Sequence, residues 1–264
     1  MKYFCLSIAG FDGSGGAGIQ ADLKTFSALG CYGMTVLTAL PIQNTTGVKS
    51  CYPLSASCVL DQLETLFEDM RPSGIKIGML GGPEVVTAVA KFLKKQASGI
   101  PIVLDPVMSA KNAATLLTAE GVEVLRSQLI PYVTLLTPNV PEAECLAQQT
   151  GLMSDLARKI QAMGPKAVLI KGGHADGPYC DDVLCDKDGE LYWIEGERVD
   201  SKNTHGTGCT LSAAIVAYLA RGDPLRSACC KAKRYLSGAL WAAKDLTLGK
   251  GRGPLNHFFN GVSP

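Results

Sequence analysis

A glycine-rich turn near the end of the chain combines an anion-binding backbone with a reactive side chain. Gly206, Thr207 and Gly208 lead into Cys209, and a pattern typical of a helix continues to residue 220. The first N–H groups of a helix lack partners within it, so such a turn is suited to hold an anion. The positive helix end also favours a thiolate and lowers the pKa of Cys209. The turn predicts transfer of a charged group, although a buried cysteine behind an ordinary glycine-rich cap also fits it.

Polar or glycine-rich segments follow six apolar runs that are typical of strands. They are Gly10 to Gly13, Gln43 and Asn44, Met79 with Gly81 and Gly82, Asp105 and Pro106, Thr137 to Asn139, and Lys171 to His174. In open α/β sheets, ligands bind outside the carboxyl ends of the strands. We therefore expect these segments to meet at one edge of a sheet and to form a site.

Two carboxylates and a lysine in or just after these segments suit phosphoryl transfer. Asp105 and Glu142 are candidate Mg²⁺ ligands, because Mg²⁺ keeps several waters and needs only one or two carboxylates. Lys171 is suited to pair with a phosphate as a compact charge. Taken singly, Asp105 also fits a cap of the turn before Pro106, and Glu142 fits a first-turn carboxylate that stabilises a helix dipole.

A second glycine-rich loop, at residues 13–18, matches the G-x-G-x-x-G pattern of dinucleotide-binding proteins. That fingerprint also needs an acidic residue near the end of the second strand, and the segment that ends at Gln43 has none. The sequence therefore disfavours NAD binding. No Gly-Lys-Ser/Thr sequence follows a glycine-rich turn, which excludes a Walker loop.

Short apolar runs alternate with segments of helical length. We predict strands over residues 3–9, 34–40, 75–80, 102–105, 133–136 and 167–170, then a hairpin of strands 183–186 and 190–194. We predict helices over residues 18–29, 56–70, 83–96, 118–129, 141–149, 154–163, 208–220 and 224–245, and a loop through residues 45–47. This alternation indicates an α/β fold whose mostly parallel sheet is covered on both faces. No linker or repeat interrupts it, so we predict one domain over residues 1–264.

Composition argues against several classes of protein. The 264 residues carry a formal net charge of +1, without the basic patch of a nucleic-acid binder. No apolar run is long enough to span a membrane, and the N-terminus reads as a strand rather than a signal peptide. The ten cysteines form no Cys-x-x-Cys pair and the three histidines lie far apart, so we expect neither a disulfide framework nor a zinc site. These features predict a cytoplasmic protein with reduced thiols.

Seven longer motifs extend from the first glycine loop to the C-terminus. They are DGSGGAGIQADLKT at residues 12–25, KIGML at 76–80, LDPVM at 104–108, TPNVPEA at 137–143, KGGH at 171–174, KNTHGTGCTLSAA at 202–214 and GKGRGPLNHF at 249–258. With these motifs the chain strongly resembles the hydroxymethylpyrimidine/phosphomethylpyrimidine kinases of thiamine biosynthesis, a branch of the ribokinase-like superfamily.

The resemblance implies a ribokinase-like three-layer sandwich with a mostly parallel central sheet, helices on both faces and no separate lid domain. It implies transfer of the γ-phosphoryl group of ATP, with Mg²⁺, to 4-amino-5-hydroxymethyl-2-methylpyrimidine and then to its monophosphate, which gives the diphosphate. It also implies a homodimer whose other partners are its small-molecule substrates.

The resemblance also implies site residues. A side-chain amide such as that of Gln43 offers both a donor and an acceptor to an aminopyrimidine edge. The implied positions are Gly10, Asp22, Gln43 and Met79 for the pyrimidine, Asn139, Lys171 and Thr204 for the nucleotide, and Asp105 and Glu142 for the metal.

The glycine-rich turn is a variant within the superfamily, most of which has Gly-x-Gly-Asp there with Asp as base. The pyrimidine-kinase branch has cysteine, as at Cys209. The resemblance therefore implies that Cys209 accepts the proton of the substrate hydroxyl. The N–H groups of Gly206, Thr207 and Gly208 would stabilise charge on the transferring phosphoryl group.

Two segments depart from the family pattern. Phe11-Asp12-Gly13 stands where Ser/Thr-Asp-Pro is usual, and Lys111-Asn112-Ala113 stands where Lys-Ser-Gly is common. A phenyl ring adds a stacking surface, and loss of a glycine stiffens a loop. Both changes bear on which vitamin precursor is preferred.

Two other functions stay open. Members of this branch also phosphorylate the hydroxymethyl group of vitamin B6, so the chain also fits a pyridoxal/pyridoxine kinase. A non-catalytic nucleotide- or vitamer-binding protein is the third reading, because a fold alone does not fix a function. Against that third reading, every residue assigned to chemistry is present.

Overall fold

The computed structural model describes residues 2–108, 116–174 and 177–261, so the departure at residues 111–113 lies outside the described residues. Its strands are β1 Phe4–Ala9, β2 Tyr32–Leu37, β3 Ala39–Asn44, β4 Gly47–Pro53, β5 Gly74–Ile77, β6 Ile102–Leu104, β7 Leu135–Leu136, β8 Val168–Ile170, β9 Asp182–Cys185 and β10 Leu191–Ile194. Eight of them form one sheet in the order β10-β9-β8-β7-β6-β5-β1-β2. Neighbours from β8 to β2 are parallel, and β9 is antiparallel to β8 and β10. The predicted mostly parallel sheet with its late hairpin is confirmed.

Helices cover both faces of this sheet. They are α1 Gly18–Ala28, α2 Ala56–Asp69, α3 Pro83–Gln96, α4 Ala119–Val124, α5 Val140–Ala147, α6 Met153–Gln161, α7 Thr207–Ala220 and α8 Leu225–Ala242. Successive strand residues point to opposite faces. In β6, Ile102 and Leu104 join a core with α2 to α6, whereas Val103 joins a second core with α1, α7 and α8. The three-layer sandwich is confirmed, and none of the described helices meets the length and apolarity that a membrane span needs.

A separate two-stranded sheet of β3 and β4 stands beside the main sheet. The sequence predicted one strand over residues 34–40, whereas β2 ends at Leu37 and β3 begins at Ala39. The turn at Thr45 and Thr46 was predicted, but the ribbon that it connects was not. Leu40, Ile42 and Tyr52 of this ribbon are exposed. Apolar side chains on both faces hide the alternation by which a half-buried strand is recognised.

The helix predicted over residues 118–129 begins as expected but changes its geometry. Thr118 caps it by accepting a hydrogen bond from the Gly121 N–H at 3.2 Å. The α-helical part ends at Val124, and the chain continues as a π-helix to Leu129 and a 3-10 turn to Tyr132. Proline at position 131 has no N–H to extend the helical ladder, so the segment ends there.

The segment after α8 packs back onto α7. His257 is buried, and its Nε2 lies 3.0 Å from the Thr210 hydroxyl of α7. The Tyr235 hydroxyl of α8 donates to the His257 carbonyl at 2.7 Å. Burial, followed by the nearby charge of Lys24, lowers the pKa of His257 to about 4. A neutral imidazole therefore holds the C-terminal segment against the helix that begins at the glycine-rich turn.

His257 should make the stability of the fold depend on pH. The pKa falls from 6.5 to about 4 on folding, so between these values the unfolded chain binds a proton that the folded chain does not. Through this residue, the free energy of unfolding should fall by about 2 kcal/mol from pH 7 to pH 5. The His257→Gln variant should lack this part of the fall. Denaturant titrations of both proteins at both pH values measure it, other groups cancel in the comparison, and equal falls would contradict the assignment.

Candidate active site

The carboxyl ends of the parallel strands meet at one edge of the sheet, as predicted. Asp105 after β6 and Lys171 after β8 are joined there, with 2.7 Å between Asp105 Oδ1 and Lys171 Nζ. Met79 after β5 contacts Gly10 after β1, because a Cβ added at Gly10 would lie 3.2 Å from Met79 Sδ. Gln43 is the exception. It lies in β3 of the separate ribbon rather than at the end of a main-sheet strand.

The glycine-rich turn lies against this edge. Gly206 has a left-handed φ of 83°, and α7 begins at the next residue. A Cβ added at Gly208 would lie 3.0 Å from Asp105 Oδ2 and 3.4 Å from Lys171 Nζ. The N-terminal turn of α7, whose first N–H groups have no partners within the helix, is therefore packed against a carboxylate and an ammonium.

Asp105 is nearly fully buried and forms an ion pair with Lys171. Its Oδ1 accepts from Lys171 Nζ and, at 3.4 Å, from the Thr137 hydroxyl. Burial lowers the pKa of Lys171, but the charges of Asp105 and Glu142 outweigh it and raise that pKa, so the ammonium stays protonated. The sequence analysis did not predict this ion pair, and the interpretation of Asp105 as a cap of the turn before Pro106 stays a prediction.

Glu142 does cap a helix, so that interpretation is confirmed. The Asn139 side chain accepts from the Glu142 N–H at 2.9 Å, and Glu142 Oε2 accepts from the Asn139 N–H at 2.8 Å. Burial raises the pKa of Glu142 to about 7; the nearby Lys171 opposes that rise and Asp105 adds to it. A capping carboxylate still has a second oxygen, so the cap does not exclude a metal ligand.

A buried ion pair lies at the predicted acceptor position Asp22. Its Oδ2 accepts from the Ser7 hydroxyl at 2.5 Å and from Lys76 Nζ at 2.8 Å. Within the described part of the chain, no hydrogen-bond donor reaches Asp22 Oδ1. Burial lowers the pKa of Lys76, but the charges of Asp22, Cys209 and Asp105 outweigh burial and raise the pKa above its usual value. Lys76 therefore stays protonated. The sequence analysis did not identify Lys76 as a site residue. A lysine within the apolar strand of residues 74–77 was a signal that a buried charge needs a partner.

The other predicted residues lie nearby with weaker contacts. Gln43 Nε2 donates to the Phe11 carbonyl at 3.3 Å, which brings the ribbon over the first glycine loop. Met79 is half-buried and its carbonyl accepts from the Thr38 hydroxyl at 2.6 Å. The Thr204 carbonyl accepts from the Thr207 hydroxyl at 3.3 Å, so Thr204 belongs to the same turn.

The expectation of a lowered thiol pKa at Cys209 is wrong. Burial raises this pKa, the charge of Lys76 lowers it, the charges of Asp22 and Asp105 raise it, and the Gly18 N–H lowers it. The loss of water around the sulfur and the two neighbouring carboxylates outweigh the charge of Lys76 and the Gly18 N–H.

Asp12 and His205 form a contact that the sequence analysis missed. Asp12 Oδ2 accepts from the N–H groups of Gly16 at 3.0 Å and Ala17 at 2.7 Å, and it lies 2.8 Å from His205 Nε2. Its Oδ1 accepts from both the N–H and the hydroxyl of Ser14. Burial raises the pKa of Asp12, but the hydrogen bonds from His205 and Ser14, the charge of His205 and the Ala17 N–H outweigh it and hold it well below its usual range. Nothing local in the sequence signals a contact across 193 residues.

Groups for a metal ion are few in this region. Among the described residues, no three His, Cys, Asp or Glu side chains are clustered to hold a metal. Asp105 after β6 and Glu142 in the first turn of α5 fit Mg²⁺ with water and phosphate as its other ligands, which is how this ion is usually bound.

Comparisons with known proteins show the family to which the chain belongs. The family model described as phosphomethylpyrimidine kinase matches residues 12–256. The hydroxymethylpyrimidine/phosphomethylpyrimidine kinase of Salmonella typhimurium is 48% identical over 258 residues, 96% of each chain. The crystal structure of phosphomethylpyrimidine kinase from Clostridium difficile is similar, with a TM-score of 0.79 and 42% identity over 89% of this chain and 98% of that chain. An ADP complex of Bacillus subtilis pyridoxal kinase has a TM-score of 0.88 and 35% identity, over 97% of this chain and 98% of that one. The resemblance found in the motifs is thus confirmed, and the chain belongs to the phosphomethylpyrimidine kinase family.

Proposed function

We propose that this chain transfers the γ-phosphoryl group of ATP to the hydroxymethyl group of 4-amino-5-hydroxymethyl-2-methylpyrimidine, and then to the monophosphate, giving the diphosphate for thiamine synthesis. The packing of the α7 N-terminus on the Asp105–Lys171 pair carries the proposal. Backbone N–H groups, an ammonium and carboxylates that suit Mg²⁺ are gathered at one sheet edge. Transfer of a highly charged group requires such positioning and charge stabilisation.

The phosphate side of the site divides into three tasks. The N–H groups of residues 206–208 stabilise charge on the transferring phosphoryl group. Lys171, with Asn139 and Thr204, binds the nucleotide phosphates; an ammonium has three donors, so its bond to Asp105 leaves others for phosphate. Asp105 and Glu142 would hold Mg²⁺, which would neutralise phosphate charge when bound.

The acceptor side combines a ring-binding surface with polar groups. Met79 and Gly10 contact each other at the strand ends and supply the surface for the pyrimidine ring. Gln43 reads the aminopyrimidine edge from the ribbon. Asp22 Oδ1 is buried and receives no hydrogen bond from the described residues, a state that costs about 1–3 kcal/mol in a folded protein. An amino N–H of the substrate would satisfy it.

Cys209 is the proposed proton acceptor. As the hydroxymethyl oxygen attacks the γ-phosphorus, its proton passes to the Cys209 thiolate, and the bond from phosphorus to the bridging oxygen of ADP breaks. The protonated Lys76 favours the thiolate, whereas burial favours the thiol. Because burial prevails, only a minor fraction of the enzyme holds the thiolate at neutral pH.

A second candidate function is phosphorylation of pyridoxal or pyridoxine. The similarity in fold to a pyridoxal kinase favours it, and a hydroxymethyl group on a nitrogen-containing ring is common to both acceptors. We also propose that the chain is a single-domain homodimer in the cytoplasm. The ten free cysteines support a reducing compartment.

An ATP-consumption assay coupled to ADP detection tests the acceptor. With Mg²⁺ present, we expect turnover with hydroxymethylpyrimidine and with its monophosphate, and a lower kcat/KM with pyridoxal. A higher kcat/KM with pyridoxal would replace the main proposal by the second candidate. ADP release with none of the three acceptors would contradict both.

Replacing Cys209 tests its role as proton acceptor. Cys209→Ala should lower kcat by about 10²–10⁴-fold, the usual contribution of a positioned base, while the Kd for ATP stays within about threefold. Because the thiol pKa is raised, the wild-type kcat should rise with pH above neutrality. In the Cys209→Asp variant this rise should shift to lower pH, since a carboxyl group loses its proton at lower pH than a thiol in the same surroundings. An unchanged kcat in Cys209→Ala would remove Cys209 from the mechanism.

Replacing Glu142 tests the metal assignment. Glutamine keeps an oxygen that accepts from the Asn139 N–H, so Glu142→Gln preserves the cap of α5 and removes only the charge. The Mg²⁺ concentration for half-maximal rate should rise by about tenfold or more, as expected for loss of one carboxylate ligand. Titrations of Mg²⁺ at saturating ATP measure it. The same Mg²⁺ dependence in both proteins, or full activity in excess chelator, would contradict the role.

A further inference from the structure

We propose that His205 is a positioning residue, which fixes the phosphoryl-binding turn relative to the acceptor-binding loop through its hydrogen bond to Asp12. The inference deepens the proposed function and rests on it for the meaning of the two loops. Neither residue is assigned to binding or chemistry above. Their importance follows from the two segments that their hydrogen bond joins, the first glycine loop and the phosphoryl-binding turn.

Asp12 organises the first glycine loop. Its carboxylate accepts from the N–H groups of Ser14, Gly16 and Ala17 and from the Ser14 hydroxyl, and it is fully buried. An ionised carboxylate only accepts, so its contact with His205 requires a proton on Nε2 of the imidazole. Hydrogen bonds to an ionised acceptor are stronger than neutral ones, and burial excludes competing water.

His205 stands at the start of the phosphoryl-binding turn. Its side-chain Nε2 bonds to Asp12 and its backbone N–H donates to the Gly253 carbonyl at 3.0 Å, so both ends of the residue are fixed. The next residue, Gly206, touches the first loop directly, since any Cβ there would collide with the Gly16 carbonyl oxygen. The direction of the following N–H groups is therefore set by the position of the first loop.

The same loop reaches the acceptor side and the reacting sulfur. Gly10 and Phe11 begin it, and the Phe11 carbonyl accepts from the Gln43 amide. Gly18 ends it, and its N–H stabilises the Cys209 thiolate. One hydrogen bond between Asp12 and His205 thus holds the acceptor loop, the sulfur environment and the phosphoryl cradle in one arrangement.

Kinetics of three variants test the proposal. His205→Ala should lower kcat by about 10–100-fold, the range expected for a misplacement of about 1 Å, with the KM for ATP within about threefold. His205→Gln keeps a donor that reaches Asp12 Oδ2 and should recover most of kcat. His257→Gln is the matched control. It alters a buried histidine that bonds to Thr210 of α7, the helix that begins just after His205, and it should leave kcat within about threefold. Wild-type kcat in His205→Ala, or no recovery in His205→Gln, would overturn the proposal.

A measurement without acceptor separates this inference from the proposed function. The rate of Cys209 alkylation by iodoacetamide at pH 8, followed by mass spectrometry of the Cys209 peptide, reports the thiolate. It should fall in His205→Ala, because the Gly18 N–H is displaced while Lys76, Asp22 and Asp105 stay in place. It should be unchanged in His257→Gln. If the wild type phosphorylates none of the acceptors, the proposed function fails, but the alkylation test still decides the positioning role. An equal alkylation rate in wild type and His205→Ala would overturn that role. A fall in His205→Ala alone would support it.

Discussion

Direct backbone contact between two glycine-rich loops is the constraint on which the rest of the site depends. A side chain at Gly206 would collide with the Gly16 carbonyl of the other loop, and within that loop a side chain at Gly18 would collide with the Gly10 carbonyl. Both glycines also have positive φ, so any other residue would be strained as well as obstructed. The turn at α7 and the loop after β1 therefore form one surface, although they are almost two hundred residues apart in sequence. Asp12 and His205 fasten this contact with polar groups.

Buried charge is the second constraint, and it explains why a thiol fits at position 209. Two lysines, Lys76 and Lys171, pair with Asp22 and Asp105, and Glu142 is already pushed toward its neutral form with a pKa of about 7. A further permanent carboxylate would add repulsion to this group of acids, and buried unpaired charge is costly. A thiol is neutral until its proton is removed. In the proposed mechanism, the site bears the extra negative charge only for as long as the reaction needs it.

Local patterns in the sequence predicted the elements, and with them the meeting of strand ends, because apolar runs and helix signals depend on nearby residues. The same patterns located Asp105, Lys171 and the turn at Cys209. They did not predict the β3–β4 ribbon, whose exposed apolar residues have no clear period, or the bond from Asp12 to His205. The direction of the thiol pKa was also missed, because it follows from desolvation and from Asp22 and Asp105, which reach the sulfur only in the folded chain. Contacts and pKa shifts that depend on residues far apart in the sequence cannot be predicted from local patterns.

The division of the site between the main sheet and the ribbon bears on acceptor choice. The groups proposed to bind the phosphoryl group follow β6 and β8 and begin α7, where the buried Asp105–Lys171 pair leaves little freedom for change. Gln43 lies on the ribbon, held to the first loop by a contact with the carbonyl of the half-exposed Phe11. The chemistry at a hydroxymethyl group is the same for a pyrimidine and a pyridine ring. The proposed function therefore places discrimination in contacts with the ring edge. The residue proposed for these contacts, Gln43, lies on a ribbon with exposed side chains, where a substitution would not disturb the buried charges.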